Sequence, residues 1–157
     1  MGVTSGDTDF VVHAEDLTPG QVMQLGSHTV SESEIIDFAT QWDPQFFHVD
    51  PARAAAESQF GGLIASGLHT LSVYQRLWVA SRTQPWRVIA GATMSDVGFL
   101  RPVRPGDVLS GRTVIDDVRL EPDKQRGLVT FAGALTNQDD KPVLRVTVSA
   151  YLEARTA

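Results

Sequence analysis

The sequence contains no cysteine, no long hydrophobic run and no excess of positive charge. Without cysteine, thiolate nucleophiles, zinc–thiolate sites and disulfide frameworks are excluded. No segment approaches the roughly 20 consecutive apolar residues that a membrane-spanning helix requires. The 13 Lys and Arg residues are outnumbered by 19 Asp and Glu residues, and the net charge of -6 argues against a nucleic-acid or anionic-membrane surface. Residues 1–9 are small and polar and resemble no targeting signal, so we expect a cytoplasmic protein.

The length of the chain, 157 residues, predicts a single domain, residues 1–157. A chain of this size buries about 70% of its unfolded surface, so it requires neither a disulfide nor a structural metal. It is too short for a (β/α)₈ barrel, which needs about 250 residues. Folding is therefore expected to depend on one hydrophobic core.

Hydrophobic spacing predicts three helices in the first half of the chain. Ser31 followed by Glu34 has the form of a capping box, and apolar residues then recur at helical spacing until about Gln41. A small Ala-rich helix is predicted over about residues 51–58, with proline in its first turn. The longest helix is predicted over residues 68–81, and its apolar residues cover most of its circumference, which predicts a buried helix.

The second half of the chain has the alternating pattern of β-strands separated by turns. The clearest case is residues 144–152, where five apolar residues alternate with four polar ones, as in a strand buried on one face. The predicted strands are residues 22–25, 28–31, 88–100, 108–120, 127–136 and 144–152. Because short turns join consecutive strands, the sheet is predicted to be antiparallel. A long buried helix against a curved antiparallel sheet is an α+β architecture.

An irregular segment between the first two predicted helices carries Asp43 and His48, flanked by Trp42, Phe46 and Phe47. Loops with large aromatic residues usually fold back onto a core, which would confine both polar side chains. Burial would raise the carboxyl pKa and lower the imidazole pKa, bringing both towards the range that is useful for proton transfer. The alternative is that Asp43 only caps a turn and that His48 only binds backbone.

A glycine-rich segment, residues 61–67, leads into the longest predicted helix. Glycines let the backbone approach a ligand closely, and the free amides of a helix N-terminus favour a carbonyl that develops negative charge. The alternative is that these glycines serve only a tight bend between two elements.

The other three histidines are weaker candidates. His13 and His28 have no acidic partner at a useful spacing, so both are expected to be ordinary surface or edge residues. His69 is either a site residue or a capped, partly exposed residue at a helix start. No two histidines have the i, i+4 spacing of a helical zinc site, so no metal is expected.

Two segments together resemble one family. Residues 43–50, DPQFFHVD, and residues 60–70, FGGLIASGLHT, are similar to the MaoC-like acyl dehydratases, which include the (R)-specific 2-enoyl-CoA hydratases of the hotdog fold. The resemblance extends to residues 99–107, FLRPVRPGD, and covers about residues 11–152. It implies a single MaoC-like hotdog domain with its core over those residues, in which a curved antiparallel sheet wraps a long central helix.

The resemblance also implies a reaction, the addition or removal of water across the 2,3 double bond of an enoyl thioester. In the family pattern Asp-x-Asn-Pro-x-His, the Asp and His hold and activate one water, which assigns that role to Asp43 and His48. A backbone amide near Gly67 would polarise the thioester carbonyl, with Gly62 and Ser66 in the same oxyanion and substrate-binding segment. No cofactor is expected for this reaction.

The sequence departs from the family pattern at three places. Gln45 replaces the usual Asn, proline has moved to position 44 with Phe46 in its former place, and Ser66 replaces a frequent His. The spacing from Asp to His is kept. We therefore expect the pair to be retained with different supporting hydrogen bonds.

Other functions of hotdog proteins make different demands on the sequence. Acyl-CoA thioesterases and the dehydratases of fatty-acid synthesis often use an acidic residue on the central helix, and residues 68–81 contain none. A non-catalytic subunit, or an acyl-binding partner of a heteromeric dehydratase, remains an alternative. The expected ligand is an acyl-CoA or acyl-carrier thioester, whose phosphates Arg101 and Arg104 would bind. Hotdog domains of this length generally pair through their sheets, so a homodimer is expected.

Overall fold

The computed structural model of the protein describes residues 10–155. The helices are α1 (Glu32–Trp42), α2 (Phe46–Val49), α3 (Pro51–Glu57) and α4 (Gly67–Ala80), with 3₁₀ turns at Ala14–Asp16 and Pro122–Lys124. The strands are β1 (Val22–Gln24), β2 (His28–Thr29), β3 (Val88–Phe99), β4 (Val108–Glu121), β5 (Arg126–Thr136) and β6 (Pro142–Glu153). In this part of the chain, no helix is long and apolar enough to cross a membrane.

The strands form an antiparallel sheet in the order β1-β4-β5-β6-β3, and the short β2 also pairs with β4. Three register shifts in the pairing of β3 with β6 and one in the pairing of β4 with β5 interrupt the ladders. Such irregularities bend a strand and increase its twist. The sheet can therefore curve around α4, which contacts β4 and β5. The predicted α+β class and the antiparallel sheet are confirmed.

The core lies between α4 and the sheet. α4 buries Tyr74 and Trp78 among the apolar side chains of the central strands. The Tyr74 hydroxyl and Thr113 Oγ1 of β4 are hydrogen-bonded at 2.7 Å. The ring of Tyr74 lies against Gly133 of β5, where a Cβ atom would overlap it. Glycine at position 133 therefore makes room for the buried tyrosine.

One face of α4 is exposed, so the prediction that this helix is buried nearly all round is wrong. The side chains of Leu68 and Val79 are 52% and 47% exposed. β3 is also exposed along most of its length, including Ile89, Met94 and Phe99. Hydrophobic periodicity indicates an apolar surface that is stabilised by burial, but it does not indicate whether residues of the same chain or of another molecule bury it.

The start of α1 shows half of the predicted capping box. Ser31 Oγ accepts a hydrogen bond from the Glu34 amide at 3.2 Å, which caps the helix. The Glu34 carboxylate does not complete the box and instead contacts His28. β2 ends at Thr29, two residues earlier than predicted, and the segment predicted to be irregular contains the single turn of α2.

The contact between Tyr74 and Gly133 makes a testable prediction. Gly133→Ala should lower the free energy of unfolding by about 2 kcal/mol, because the new methyl group forces a buried ring to move in a close-packed core. Urea denaturation followed by circular dichroism measures this change. Gly26→Ala is the matched control, since a Cβ atom there meets only Ser81 Oγ, at 3.9 Å. Equal stability of the two variants would contradict this packing.

Candidate active site

α1 ends at Trp42, and Asp43 caps it before the chain turns into α2. Pro44 disfavours helical conformation in the residue before it, and Asp43 adopts φ −156°. The Asp43 amide still donates to the Ala39 carbonyl, while the Gln45 amide donates to the Asp43 carbonyl and the His48 amide to the Gln45 carbonyl. These short-range bonds fold the segment tightly and bring the side chains of Asp43 and His48 together.

His48 is buried, and a backbone carbonyl determines which of its ring nitrogens carries hydrogen. Nδ1 lies 2.7 Å from the Ile64 carbonyl oxygen. A carbonyl oxygen can only accept, so Nδ1 is the donor and the neutral ring has its lone pair on Nε2. Nε2 lies 3.4 Å from Asp43 Oδ2, and Phe47 packs edge-on against the ring. His48 therefore directs a proton acceptor towards Asp43.

Asp43 accepts two side-chain hydrogen bonds. Ser66 Oγ donates to Oδ2 at 2.7 Å, and Gln45 Nε2 donates to Oδ1 at 2.8 Å. Burial raises the pKa of Asp43, but the two hydrogen bonds and the nearby His48 outweigh it, so the net pKa is lowered from the ordinary value. The expected net rise of this pKa is wrong, because the donors Ser66 and Gln45, together with His48, stabilise the charged form more than burial destabilises it. Asp43 is ionised at neutral pH.

Ser66 joins this carboxylate to the N-terminus of α4. Its side chain is fully buried, and its Oγ also accepts a hydrogen bond from the Leu68 amide at 3.3 Å, which caps the helix. Gly67 is the first residue of α4, where backbone amides have no partner within the helix. The Phe99 ring packs on Gly67, and a Cβ atom there would lie 2.7 Å from the ring. The glycine-rich segment thus ends as a helix N-terminus beside the predicted pair.

A cavity of about 240 Å³ lies at this helix terminus. Its lining combines His48 and Gly67 with mostly apolar side chains, among them Ile64 and Phe99. Asp43 is not part of the lining and lies next to it, in contact with His48. The cavity therefore brings an imidazole acceptor and a helix N-terminus to one apolar space.

The remaining predicted ligand residues differ in their positions. Arg101 lines the cavity, and its Nη1 donates to the Pro142 carbonyl at 2.8 Å. Arg104 Nη2 donates to the Phe60 carbonyl at 2.8 Å. Gly62 lies next to Arg104 and outside the cavity lining, where a Cβ atom would be 3.7 Å from Arg104 Nη1.

Sequence reasoning missed a cluster of ionisable side chains near the start of α4. Glu34 Oε1 lies 2.7 Å from His28 Nε2 and 3.4 Å from His69 Nε2. His69 is buried and stacks on Phe38, and burial lowers its pKa against the opposing charge of Glu34. The prediction that His28 lacks an acidic partner is wrong, because the turn from β2 into α1 folds Glu34 back onto it. The capping-box pattern predicted that the Glu34 carboxylate would bind the Ser31 amide, and it gave no signal for a contact with His28.

His13 also has an acidic neighbour, contrary to expectation. Its amide donates to Asp16 Oδ2 at 2.8 Å, and its ring Nδ1 lies 2.9 Å from the Val11 carbonyl oxygen. The three-residue spacing from His13 to Asp16 could have indicated the start of the 3₁₀ turn at Ala14–Asp16. Across residues 10–155, no group of three or more His, Cys, Asp or Glu side chains is arranged to hold a metal ion.

Known proteins share this sequence and fold. Residues 15–135 match the family described as MaoC like domain. The uncharacterized protein YdeM of Bacillus subtilis (strain 168) is 32% identical over 140 residues, or 88% of this chain and 97% of that protein. The MaoC-like dehydratase from Rhodospirillum rubrum is 33% identical, with a TM-score of 0.80 over 93% of this chain and 99% of that chain.

The unliganded R-hydratase PhaJ1 from Pseudomonas aeruginosa has a TM-score of 0.72, over 91% of this chain and 86% of that chain. At 24% sequence identity this likeness shows the fold alone. The family match and the relatives above 30% identity show the family as well as the fold. The chain belongs to the MaoC-like domain family and has the α+β hotdog fold.

Proposed function

We propose that the protein catalyses the addition of water across the 2,3 double bond of an enoyl thioester, or the reverse elimination of water. Either direction interconverts 2-enoyl-CoA and 3-hydroxyacyl-CoA. The observation that carries the proposal is the pair of acceptors, His48 Nε2 and Asp43 Oδ2, which lie 3.4 Å apart beside the N-terminus of α4. A water molecule has two hydrogens to donate, so one water can bind both atoms. Membership of a family that includes proteins named dehydratases supports the same reaction.

In the hydration direction, His48 Nε2 takes a proton from the water as its oxygen forms a bond to C3. The C2–C3 π electrons move into the thioester, and the carbonyl oxygen becomes an enolate. The Gly67 amide donates a hydrogen bond to this oxygen, where negative charge develops. The imidazolium then returns its proton to C2, and the carbonyl re-forms. Water and proton come from one side, so the addition is syn.

Asp43 and Ser66 support this chemistry in different ways. Because Asp43 is ionised at neutral pH, it stabilises the imidazolium and orients the water, and it does not serve as the acid. Ser66 was expected in the substrate-binding segment, but its hydroxyl is buried against Asp43. We therefore assign Ser66 to positioning the carboxylate. Each of Arg101 and Arg104 uses one nitrogen to bind a backbone carbonyl, and we propose that their other N–H groups bind the phosphates of CoA or of an acyl carrier.

Loss of enoyl absorbance with a panel of 2-enoyl-CoA thioesters tests this function. Asp43→Asn and His48→Gln should each reduce kcat by about 10²- to 10⁴-fold, the range for losing a positioned acid–base group. Asp37→Asn, an exposed substitution on the same helix as Asp43, is the matched control and should retain full activity. Unchanged turnover in both site variants would refute the site.

A different outcome would favour the non-catalytic alternative. If the folded protein turns over none of the enoyl thioesters, and activity requires a second protein, the chain is a partner subunit. Thioesterase activity is disfavoured because α4 carries neither Asp nor Glu. Release of free thiol from acyl-CoA, measured in the same samples, would contradict that statement.

The bond between Ser66 and Asp43 predicts a pH-dependent change in stability. Ser66→Ala should raise the pKa of Asp43, because it removes the donor to Oδ2, and loss of the α4 cap should cost about 1 kcal/mol. A carboxyl with a lowered folded-state pKa adds stability at neutral pH, and this stability disappears as the pH falls through that pKa. The destabilisation by Ser66→Ala should therefore be larger at neutral pH than in acid.

Urea unfolding at the two pH values and NMR titration of the carboxyl carbon measure these effects. Ser72→Ala is the matched control, since the Ser72 hydroxyl donates to the Leu68 carbonyl of its own helix. The control should leave the pKa of Asp43 unchanged. An unchanged pKa in Ser66→Ala as well would remove Ser66 from this role.

We also propose that the protein is a homodimer that pairs through β3. This strand is the last in the sheet order and exposes apolar side chains along its length. Light scattering after size exclusion should give twice the mass of one chain. Met94→Lys should shift the protein to monomer, whereas Leu120→Lys, an equally exposed apolar position on β4, should not. If the wild-type protein is a monomer, the proposal is contradicted.

A further inference from the structure

A second cavity lies at the opposite end of α4 from the candidate active site. Its volume is about 340 Å³, and none of the residues assigned to hydration line it. α4 has 14 residues, so at 1.5 Å per residue its two ends are about 21 Å apart. The lining is divided between apolar side chains, among them Leu17, Met23 and Leu25, and polar ones, among them Gln21, Thr83 and Gln84. The proposed hydration reaction makes no use of this space.

Arg82 is the cation of this cavity. Its guanidinium contacts the faces of two perpendicular rings, with Cζ 4.7 Å from the centroid of Trp78 and 4.5 Å from that of Trp86. Within residues 10–155, no carboxylate forms an ion pair with it, and its buried Nε has no hydrogen-bond partner. Asp16 also lines the cavity, but Arg155 Nη1 binds it at 2.6 Å. Arg82 is thus a positive charge without a counter-ion in the described chain.

Trp78 supplies a second polar group without a partner. Its side chain is 4% exposed, and its Nε1 is buried and makes no hydrogen bond with any described residue. A buried N–H group that lacks an acceptor costs about 1–3 kcal/mol. Trp78 Nε1 and Arg82 Nε are both buried atoms, and their side chains line this cavity and also a neighbouring one beside β3. Stacking of Arg82 on the rings alone does not satisfy either donor.

We propose that this cavity is an accessory binding site for a small aliphatic carboxylic acid. The carboxylate pairs with the Arg82 guanidinium, whose planar array of donors matches two carboxylate oxygens. The hydrocarbon part lies along the Trp rings and the apolar side chains of the lining. At roughly 30 Å³ per non-hydrogen atom, a volume of about 340 Å³ accommodates about ten such atoms. A single cation beside the apolar part of the lining favours a monocarboxylate over a phosphate ester.

The test uses octanoate as the probe and octanamide, its neutral analogue, as the control ligand. The third tryptophan, Trp42, is 64% exposed and does not line the cavity, so Trp42→Phe leaves fluorescence that reports on Trp78 and Trp86. In this background, octanoate should change the fluorescence saturably. Octanamide should bind about tenfold to a hundredfold more weakly, since it lacks the charge that pairs with the guanidinium.

Two arginine variants locate the binding site. Arg82→Gln should weaken octanoate binding by about tenfold to a hundredfold while it leaves enoyl hydration unchanged. Arg101→Gln, which alters the cavity beside His48, should leave octanoate affinity unchanged. Equal affinity for octanoate and octanamide would overturn the proposal, even if Arg82→Gln failed to fold. Binding that depends on Arg101 and not on Arg82 would overturn it as well.

Discussion

The hydrogen bond from Ser66 Oγ to Asp43 Oδ2 is the contact on which the candidate site depends, because it joins segments 23 residues apart. Asp43 ends α1 and Ser66 caps α4, so this 2.7 Å bond holds a carboxylate beside a helix N-terminus. The bond from His48 Nδ1 to the Ile64 carbonyl ties the same two segments a second time. The Ile64 amide also donates to the Phe47 carbonyl at 3.0 Å, so three hydrogen bonds hold the pair next to the N-terminus of α4.

Hydrogen bonds also give the two side chains different roles. Donors on both oxygens keep Asp43 ionised, and a carbonyl at Nδ1 leaves the Nε2 lone pair of His48 free. The site therefore combines an ionised carboxylate with an imidazole whose Nε2 can accept a proton. A carboxylate next to an imidazole stabilises the protonated ring, so one histidine can take a proton from water and return it to carbon. The environment, more than the residue types, separates the two roles.

Patterns of short range predicted much of the fold and part of the site. The alternation in β6 and the periodicity of α4 indicated their elements. Of the aromatic residues around Asp43 and His48, Phe47 packs against His48 as expected, whereas Trp42 is 64% exposed. Contacts between distant segments could not be predicted, because hydrophobic periodicity reports only on local secondary structure. The donors that lower the pKa of Asp43 and the approach of Glu34 to His28 are of this kind. The exposure of Leu68 is another, since periodicity cannot say which chain covers an apolar face.

The hydrogen position on His48 is the measurement that tests this arrangement most directly. In ¹⁵N NMR spectra of histidine-labelled protein, the neutral form of the ring should carry its hydrogen on Nδ1, and Nε2 should have the shift of an unprotonated nitrogen. The Asp43 carboxyl carbon should show an ionised group in the same sample. A neutral ring with hydrogen on Nε2, donated to Asp43, would contradict the account, because that ring would have no lone pair to take a proton from water.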